Sequence, residues 1–523
     1  MILIASAAYV NPEFLAEFGR LPPTFLPLGN RRLFERQVRA LRHCLPLEGI
    51  YISLPSSYNL SPMDDELLSA LEVTRLFSDE SLSLAESLVV AIKQIPFNNE
   101  GLRLLHGDTL FETYPLGLDL LGLAKVKEDY RWEVETVDLT SELIWAGYFS
   151  FSRPRDFLYA LLESGNDFVS AVRKYEQNIQ LLRINMGEWF DFGHINTYFQ
   201  SRSCVTTERS FNKLLIKDGL VKKTGLSEKI KAESNWFLNL PKGLRQFCPQ
   251  LIDHGTDDAG EPYYVLEYLP FPPLNELFVH GRNPVFFWSN IFELITKFLN
   301  ICKHELNVNP IEREFEVNSR DLLLSKTLER LGLFVSQSGH PGINVPNQLN
   351  GKSVPSLGEI VEKCWSLLRG LPPVPGILHG DLCLSNILFD SRSNRIKVVD
   401  PRGLDAKGFE CLSGDLRYDL GKLSHSIIGL YDHIVTGAFT INYEYRDDLC
   451  VFKFEVFTDE RVRNIQAAFL DHEFLPGLEP MQVMPLTILL FVSLLPMHAD
   501  SPSRQAAFLA NALRLYNSHI VKS

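Results

Sequence analysis

The sequence predicts two domains of different class. Residues 1–203 read as an α/β domain with a parallel or mixed sheet and helices on both faces, and residues 204–523 as an α+β domain. Three observations carry this expectation. At 523 residues the chain is too long for one ordinary hydrophobic core. Residues 1 to about 200 alternate strand-like and helix-like segments, the pattern of a sheet wrapped by helices. Beyond the polar run Ser201–Ser210 the alternation stops, and short strands are followed by long helical periodicities.

In the first domain, Ile2–Ala5 is an apolar strand and Arg32–Leu41 (RLFERQVRAL) a helix. Gly49–Leu54 (GIYISL) is a second strand, Leu82–Ile95 a second helix, and Leu102–Leu105 a third strand ending on His106-Gly107-Asp108. Ligands of such sheets bind at the carboxyl ends of the strands. After the boundary, Phe211–Ile216 and Leu220–Thr224 flank Lys217-Asp218-Gly219, a hairpin signal. A helix near Glu228–Leu240 and a strand at Tyr263–Tyr268 complete a β lobe over about 204–275. The helical lobe, about 276–523, includes Val285–Leu306 and Leu357–Leu368.

Composition narrows the partners. A hydrophobic content of 45% with 22% charged residues is that of a soluble globular protein. A formal charge of −13 argues against nucleic acid as a partner, because phosphate contacts need clustered Lys and Arg. Eight cysteines (Cys44, Cys204, Cys248, Cys302, Cys364, Cys383, Cys411 and Cys450) are scattered without a CxxC pair, which favours reduced thiols and a cytoplasmic location. The start, MILIASAAYV, lacks a basic leader and reads as a first buried strand. Met481–Met497 is apolar, but short for a membrane span and bracketed by Pro485 and Pro496; a core helix is the expectation, with no membrane insertion.

The richest stretch is Ile377–Asp400, ILHGDLCLSNILFDSRSNRIKVVD. Ile387-Leu388-Phe389 and Ile396-Lys397-Val398-Val399 are strand-like around a polar turn, so folding the hairpin sets Ser385 and Asn386 opposite Val399 and Asp400. Asp381 lies just before, in the connecting loop. Phosphoryl transfer needs a carboxylate to orient the attacking hydroxyl, and an Asn with an Asp to hold magnesium on the nucleotide phosphates.

His379-Gly380-Asp381 with Asn386 and then Asp400 resembles the signature of the aminoglycoside phosphotransferase and choline kinase branch of the protein-kinase-like fold, over roughly residues 205–523. The resemblance implies that Asp381 orients or deprotonates an acceptor hydroxyl and that Asn386 and Asp400 bind Mg²⁺. It further implies that Glu267, Tyr268 and Leu269 form a hinge touching adenine through backbone groups, with His379 as structural support. Upstream, Glu233 falls on the same helical face as Ile230, Phe237 and Leu240, and an acid on an apolar stripe needs a cation. Lys223 in the preceding strand is the expected partner, since Lys222 points to the opposite sheet face. The pair resembles the Lys–Glu pair that positions ATP phosphates in kinases. Asp415 and Asp419 resemble the family's structural acid. Asp419 either braces the catalytic loop or serves a helix N-terminus, and Arg402 either reaches a phosphate or stays at the surface.

The first domain, over about residues 1–200, resembles the sugar-phosphate nucleotidyltransferases, with their Rossmann-like fold. Pro27-Leu28-Gly29 with RRLFERQVRAL resembles the segment after the family's signature loop, and Trp145-Ala146-Gly147-Tyr148 the strand under the sugar. Gly107-Asp108 and Asp191-Phe192-Gly193 resemble the two places that supply magnesium carboxylates. His194 and Tyr198 either line that pocket or pack. The family's first loop is Gly-rich and ends in Pro-Lys. Here it is Ala7-Ala8-Tyr9-Val10-Asn11-Pro12, with Pro23-Thr24 in place of Pro-Lys, which leaves Arg20, Arg31 or Arg32 to supply the cation.

Together these resemblances imply a bifunctional enzyme using Mg²⁺, ATP and a second NTP on small-molecule substrates. One domain would phosphorylate a small hydroxylated metabolite such as a sugar; the other would couple the phosphate to a nucleotide, giving a donor for surface polysaccharide. The alternatives are a kinase whose first domain is a binding or scaffolding module, aminoalcohol phosphorylation of the choline type with cytidylyl transfer, and a pair of pseudoenzymes.

Overall fold

The computed structural model describes residues 1–96, 100–125, 128, 130, 132–138, 141–206, 213–225, 227–306 and 318–521. Contacts divide the chain into two units, Met1–Thr206 with His280–Asn283, and Thr207–Val279 with Pro284–Ser523.

The first unit is built on a mixed sheet. Its strands are β1 (Ile2–Ala5), β2 (Ile50–Pro55), β3 (Val73–Ser78), β4 (Leu102–His106), β6 (Leu120–Lys125), β7 (Val134–Asp138), β8 (Ser141–Phe151) and β9 (Leu182–Asn185); β5 (Thr109–Phe111) and β10 (Trp189–Asp191) pair separately. The order is β3-β2-β1-β4-β8-β6-β9, with β7 on β8. The strands β3, β2, β1 and β4 run parallel, and β8 enters antiparallel beside β4. Alternation divides the core. Leu3 and Leu104 face a cluster with Leu88, Phe157 and Val172 from the helices Leu84–Gln94, Pro154–Glu163 and Phe168–Glu176. Ile2, Ile4 and Leu105 point the other way and are just as buried. The helix Leu33–Cys44 is apolar on the face that carries Leu33, Phe34, Val38 and Leu41.

The helix Pro62–Ala70 and strand β3 were not expected. The strand VTRLFS puts three of its six residues in solvent, too little apolar run to stand out, and the helix starts at a Ser61 cap that accepts from Asp64 N–H.

The second unit opens with an antiparallel sheet in the order β11-β12-β14-β13: β11 (Lys213–Lys217), β12 (Leu220–Thr224), β14 (Pro262–Glu267) and β13 (Leu251–Thr256). Asp218 and Gly219 take φ of 51° and 74°, the two left-handed residues of a tight primed hairpin turn. Phe211 and Asn212, expected to start the first strand, lie outside the described residues. Helices dominate from Val285 onward. Met484–Ser493 is buried along its whole length, in keeping with a core helix. Val285–His304 is long and apolar enough to cross a membrane by length and composition alone, with Trp288, Ile291, Ile295 and Phe298 packed inside.

A second four-stranded sheet, Lys352–Val354, Asn347–Leu349, Cys450–Val456 and Phe439–Tyr445, sits in the lobe expected to be mostly helical. Two of its strands are three residues long and turn at Asn350-Gly351, so period-2 patterning had no length over which to show.

Candidate active sites

In the second unit the hairpin Ile387–Asp390 and Arg395–Val398 pairs Ile387 with Val398, and Val399 N–H donates to the Asn386 carbonyl at 3.0 Å. Asn386 and Asp400 thus sit across one ladder step. Asn386 Nδ2 donates to the Asp381 carbonyl at 2.9 Å and to its carboxylate at 3.1 Å, which holds that side chain in place and turns the amide oxygen the other way. Asp400 adopts φ of 56°, a strained conformation for a residue with a side chain.

The loop under this site is braced from below. Asp419, fully buried, accepts His379 N–H at 2.9 Å and Gly380 N–H at 2.8 Å, so it braces the loop that carries Asp381. Burial raises Asp419 to about 7, against the pull of those two bonds. His379 is buried and neutral, held down to about 4 by desolvation. Its Nε2 lies 3.1 Å from the Val399 carbonyl, and its Nδ1 accepts Asp381 N–H at 3.3 Å. Gly380 is left-handed at φ 78°, and a Cβ there would stand 2.7 Å from Arg402 Cβ; no other residue fits without movement. Asp415 instead caps the helix Leu416–Ile427 and pairs with Arg417.

Lys223 is the cation of this site. Its Nζ lies 2.7 Å from Glu233 and 3.0 Å from Asp400, with the Lys and Glu side chains 4% and 0% exposed. Tyr264 OH donates to the same Glu233 oxygen at 2.7 Å. Burial alone would discharge the lysine, but Asp400 and Glu233 outweigh it and hold its pKa above the ordinary value. Lys222 points to the opposite face, over the Tyr263 ring at 4.3 Å. We expect Lys223→Met to cost on the order of 3 kcal/mol, because it strands two acids beside each other. The urea midpoint would fall with unchanged slope; a wild-type midpoint would mean that the buried pair is not held as described.

Lys422 was missed. Its Nζ is 2.9 Å from Asp381 Oδ1. Burial would raise the Asp381 pKa, but the Lys422 charge overrides it and keeps the carboxylate ionised below its usual range. The signal was present in the GDLRYDLGKL segment: Lys422 falls three residues after Asp419, on the same face of the helix.

The segment expected as a hinge closes the strand Pro262–Glu267. The Glu267 carboxylate accepts Gln250 N–H at 2.9 Å, its own N–H goes to the Gln250 carbonyl, and Tyr268 N–H donates to Gly219. Strand pairing takes these N–H groups, and the Leu269 carbonyl accepts from Phe271 N–H. Glu267, Tyr268 and Leu269 do not line the cavity that holds Asp381, Asn386 and Asp400.

In the first unit, β1 and β4 lie side by side and end at Ala5 and His106. Gly107 follows, where a Cβ would meet the Ala5 carbonyl oxygen at 2.8 Å, and then Asp108. The antiparallel pair β5–β10 sets Asp191 opposite Thr109, and Phe192 N–H donates to the Asp108 carbonyl at 2.8 Å. Both carboxylates are thereby turned onto Gly193. A Cβ on Gly193 would be 2.6 Å from Asp108 Oδ2 and 3.3 Å from Asp191 Oδ1. Burial, then the Asp191 charge, raises Asp108 to about 6.

Asp191 is held by His194 Nδ1 at 2.9 Å, by Gly193 N–H at 3.1 Å and by Thr197 Oγ1. The hydrogen bond to Asp191 raises the His194 pKa, and the ring stacks on Tyr130 at 4.0 Å with Trp132 at its edge. Thr197, Tyr130 and Trp132 carried no sequence signal, since no motif joins them. Gly147 lies at an irregularity in β8 with φ of 80°, where a Cβ would stand 2.7 Å from Thr109 Oγ1.

Two residues considered for this pocket belong elsewhere. Arg32 is fully buried with Nε and Nη2 each 2.9 Å from Asp64, so it is a core ion pair and no triphosphate ligand. Tyr198 is buried, donates to the Pro27 carbonyl and packs on Phe14 and Phe18. Arg20 is exposed, 3.3 Å from Glu80 and over the Tyr9 ring; Arg31 is 3.3 Å from Glu35. The loop after β1 runs directly into the helix Pro12–Phe18, capped by the Asn11 side chain. A capped helix thus takes up the chain just after the place of a Gly-rich cradle.

No protein-family model matches the sequence, and no curated protein matches it. Among solved structures, the chain is similar to a nucleoside-diphosphate-sugar pyrophosphorylase from Vibrio cholerae RC9, at 16% identity over 39% of this chain and 99% of that one, with a TM-score of 0.33. It is similar to an inositol-1-phosphate CTP transferase from T. maritima at 14% identity, over 39% of this chain and 95% of that one, TM-score 0.31. It is also similar to a choline/ethanolamine kinase family protein from Mesorhizobium loti at 14% identity, over 60% of this chain and 88% of that one, TM-score 0.36. Likenesses this remote leave the chemistry to be read from the chain's own residues.

Proposed function

We propose that the chain carries two transferase sites: an ATP-dependent kinase site in the second unit, acting on a small hydroxylated metabolite such as a sugar, and a nucleotidyl-transfer site in the first. The observation that supports this best is the linked set Lys223–Glu233, Lys223–Asp400 and Asn386–Asp381–Lys422, one ionised base beside a metal-type Asn/Asp pair. Asn386 commits its amide nitrogen to Asp381 and turns its oxygen the other way, where Ser385 Oγ lies 3.4 Å off, while the Asp400 side chain is 33% exposed; an amide oxygen beside a carboxylate suits Mg²⁺. A bound Mg²⁺ would neutralise charge on the nucleotide phosphates. Asp381, ionised by Lys422, would orient the acceptor hydroxyl and take its proton, and Lys223 would pair with a phosphate.

In the first unit, Asp108 and Asp191 face one small space, and burial, then their mutual repulsion, raises Asp108; a divalent cation would relieve that repulsion. The two would hold Mg²⁺ on an NTP, with His194 orienting Asp191, and transfer onto the phosphorylated metabolite would release pyrophosphate. An activated donor for surface polysaccharide, made in the cytoplasm, is the product this reading favours. A second reading, a kinase with a binding module in front, is favoured by the capped helix after β1 and the burial of Arg32.

The test uses the full-length chain with Mg²⁺, ATP and a panel of sugars and aminoalcohols, products read by mass. Each phosphorylated product is then offered with each NTP, and pyrophosphate is measured. Phosphorylation without pyrophosphate under any NTP would sink the two-site reading and leave the second.

A further inference from the structure

Asp381 opens onto a cavity of about 560 Å³ whose walls are basic, in a chain of net charge −13. Lys229, Lys326, Arg330, Arg402 and Lys422 line it, against Asp381 and Asp400. Lys422 is engaged by Asp381 at 2.9 Å, Lys229 by Glu233 at 3.6 Å, and Asp400 already has Lys223. Three half-buried cations remain, Lys326, Arg330 and Arg402. Among the described residues none of them forms an ion pair. Arg330 donates to Ser493 Oγ at 3.1 Å, and Arg402 donates to the Asp405 carbonyl at 3.3 Å with its guanidinium over the Tyr418 ring. Burial, then Arg402 and Arg330, lowers Lys326 to about 8, and Glu329 attracts it only from beyond ion-pair reach.

The nucleotide is not the obvious owner of these charges. Asn386 and Asp400 line the cavity and bring the phosphate end of a nucleotide to it, but Lys223, Glu233 and the 267–269 segment do not, and Lys229 is its one wall residue from the β lobe. The other side is apolar, formed by Leu486, Leu489 and Leu490. Three like charges held together in a partly dry space are stabilised by an anion.

We propose that the acceptor of the kinase site is itself an acid: a hydroxylated metabolite carrying a carboxylate or phosphate, which Lys326, Arg330 and Arg402 bind while its hydroxyl faces Asp381. This rests on the kinase reading and names its substrate class. The acceptor O–H bond breaks and its proton passes to Asp381. The oxygen bonds to the γ-phosphorus of ATP, and the bond from that phosphorus to the bridging oxygen breaks, the electron pair leaving with ADP. A quaternary amine or an aminoglycoside would meet repulsion at the same wall.

The test compares a hexose, its hexuronic acid, its hexose monophosphate and choline on the full-length chain with ATP and Mg²⁺. Turnover is read by mass and binding by calorimetry, so binding is scored even where a panel member is not turned over. At least one acid is expected to bind tenfold or more tighter than the hexose, with an affinity that falls as ionic strength rises; the two acid arms tell carboxylate from phosphate. Lys326→Met with Arg330→Met is expected to raise the KM or Kd of the preferred acid at least tenfold towards the hexose value, and Lys326→Arg to retain it. Should the double variant fold poorly, the ionic-strength dependence of the wild type decides. Equal binding of hexose and acids, a preference for choline, or an equal rise in the KM for ATP would overturn the inference while Mg²⁺-dependent ATP binding persists. Loss of ATP binding in the wild type itself would overturn the kinase reading beneath it.

Discussion

Asp381→Ala is expected to lower phosphate transfer to the acceptor by about 10²–10⁴-fold while leaving Mg²⁺-dependent ATP binding in place. The asymmetry follows from the contacts. Asp381 is bound by Asn386 Nδ2 and Lys422 Nζ, lines the cavity and is 40% exposed, so in the proposed reaction its exposed edge would meet the acceptor. In the proposed reaction Lys223 and Asp400 would serve the phosphate side, and neither is paired with Asp381. Truncation also leaves Lys422 without its carboxylate. That side chain is 21% exposed and reaches water, so the cost in stability is expected to be about 1 kcal/mol or less. Steady-state ADP release with acceptor, calorimetric titration with ATP, and thermal melting separate the three quantities. A variant that still transfers within threefold of wild type would remove Asp381 from the reaction. Nucleotidyl transfer by the first unit should not change, because none of its residues takes part.

Much of the second site was legible because its chemistry is local. His379, Asp381, Asn386 and Asp400 lie within one hairpin and its preceding loop, so spacing along the chain predicts proximity in space. The Lys223–Glu233 pair was legible for a different reason: a buried acid on an apolar helix face needs a cation, and strand alternation selects Lys223 over Lys222. Of the basic wall only Arg402 was legible, as a cation two residues past Asp400; Lys326 and Arg330 share one turn of a helix, but nothing in the sequence ties that helix or Lys422 to the Ile377–Asp400 stretch. In the first unit, Asp108 and Asp191 were legible only as strand ends. Their meeting depends on β5 and β10 pairing across about eighty residues of chain, a long-range event that local pattern does not encode. Arg32 shows the opposite failure. In RRLFERQVRAL it looks like one exposed cation among several, yet it is the fully buried one, matched by an Asp64 from a helix the pattern did not reveal.

Asp108→Asn is the change that tests the first unit, and its two effects are expected to run in opposite directions. Activity should fall by about 10³-fold, or about 4 kcal/mol of transition-state stabilisation, since the amide cannot share a divalent cation with Asp191 as a carboxylate does. Stability without metal should rise at neutral pH. Asp108 stands with Asp191 around Gly193, and burial with that neighbouring charge raises its pKa from 3.8 to about 6. A carboxyl whose folded pKa lies above its unfolded value loses stability as pH climbs through the interval, here from about 4 to about 6, because the unfolded chain releases its proton first. Melting curves in EDTA should therefore fall across that window for the wild type and run flatter for the Asn variant. With Mg²⁺ and NTP the order should reverse, the wild type gaining a ligand-dependent shift that the variant lacks. A variant that releases pyrophosphate at the wild-type rate would leave Asp108 and Asp191 as turn residues at two strand ends. The first unit would then be a binding module whose capped helix after β1 never served a triphosphate.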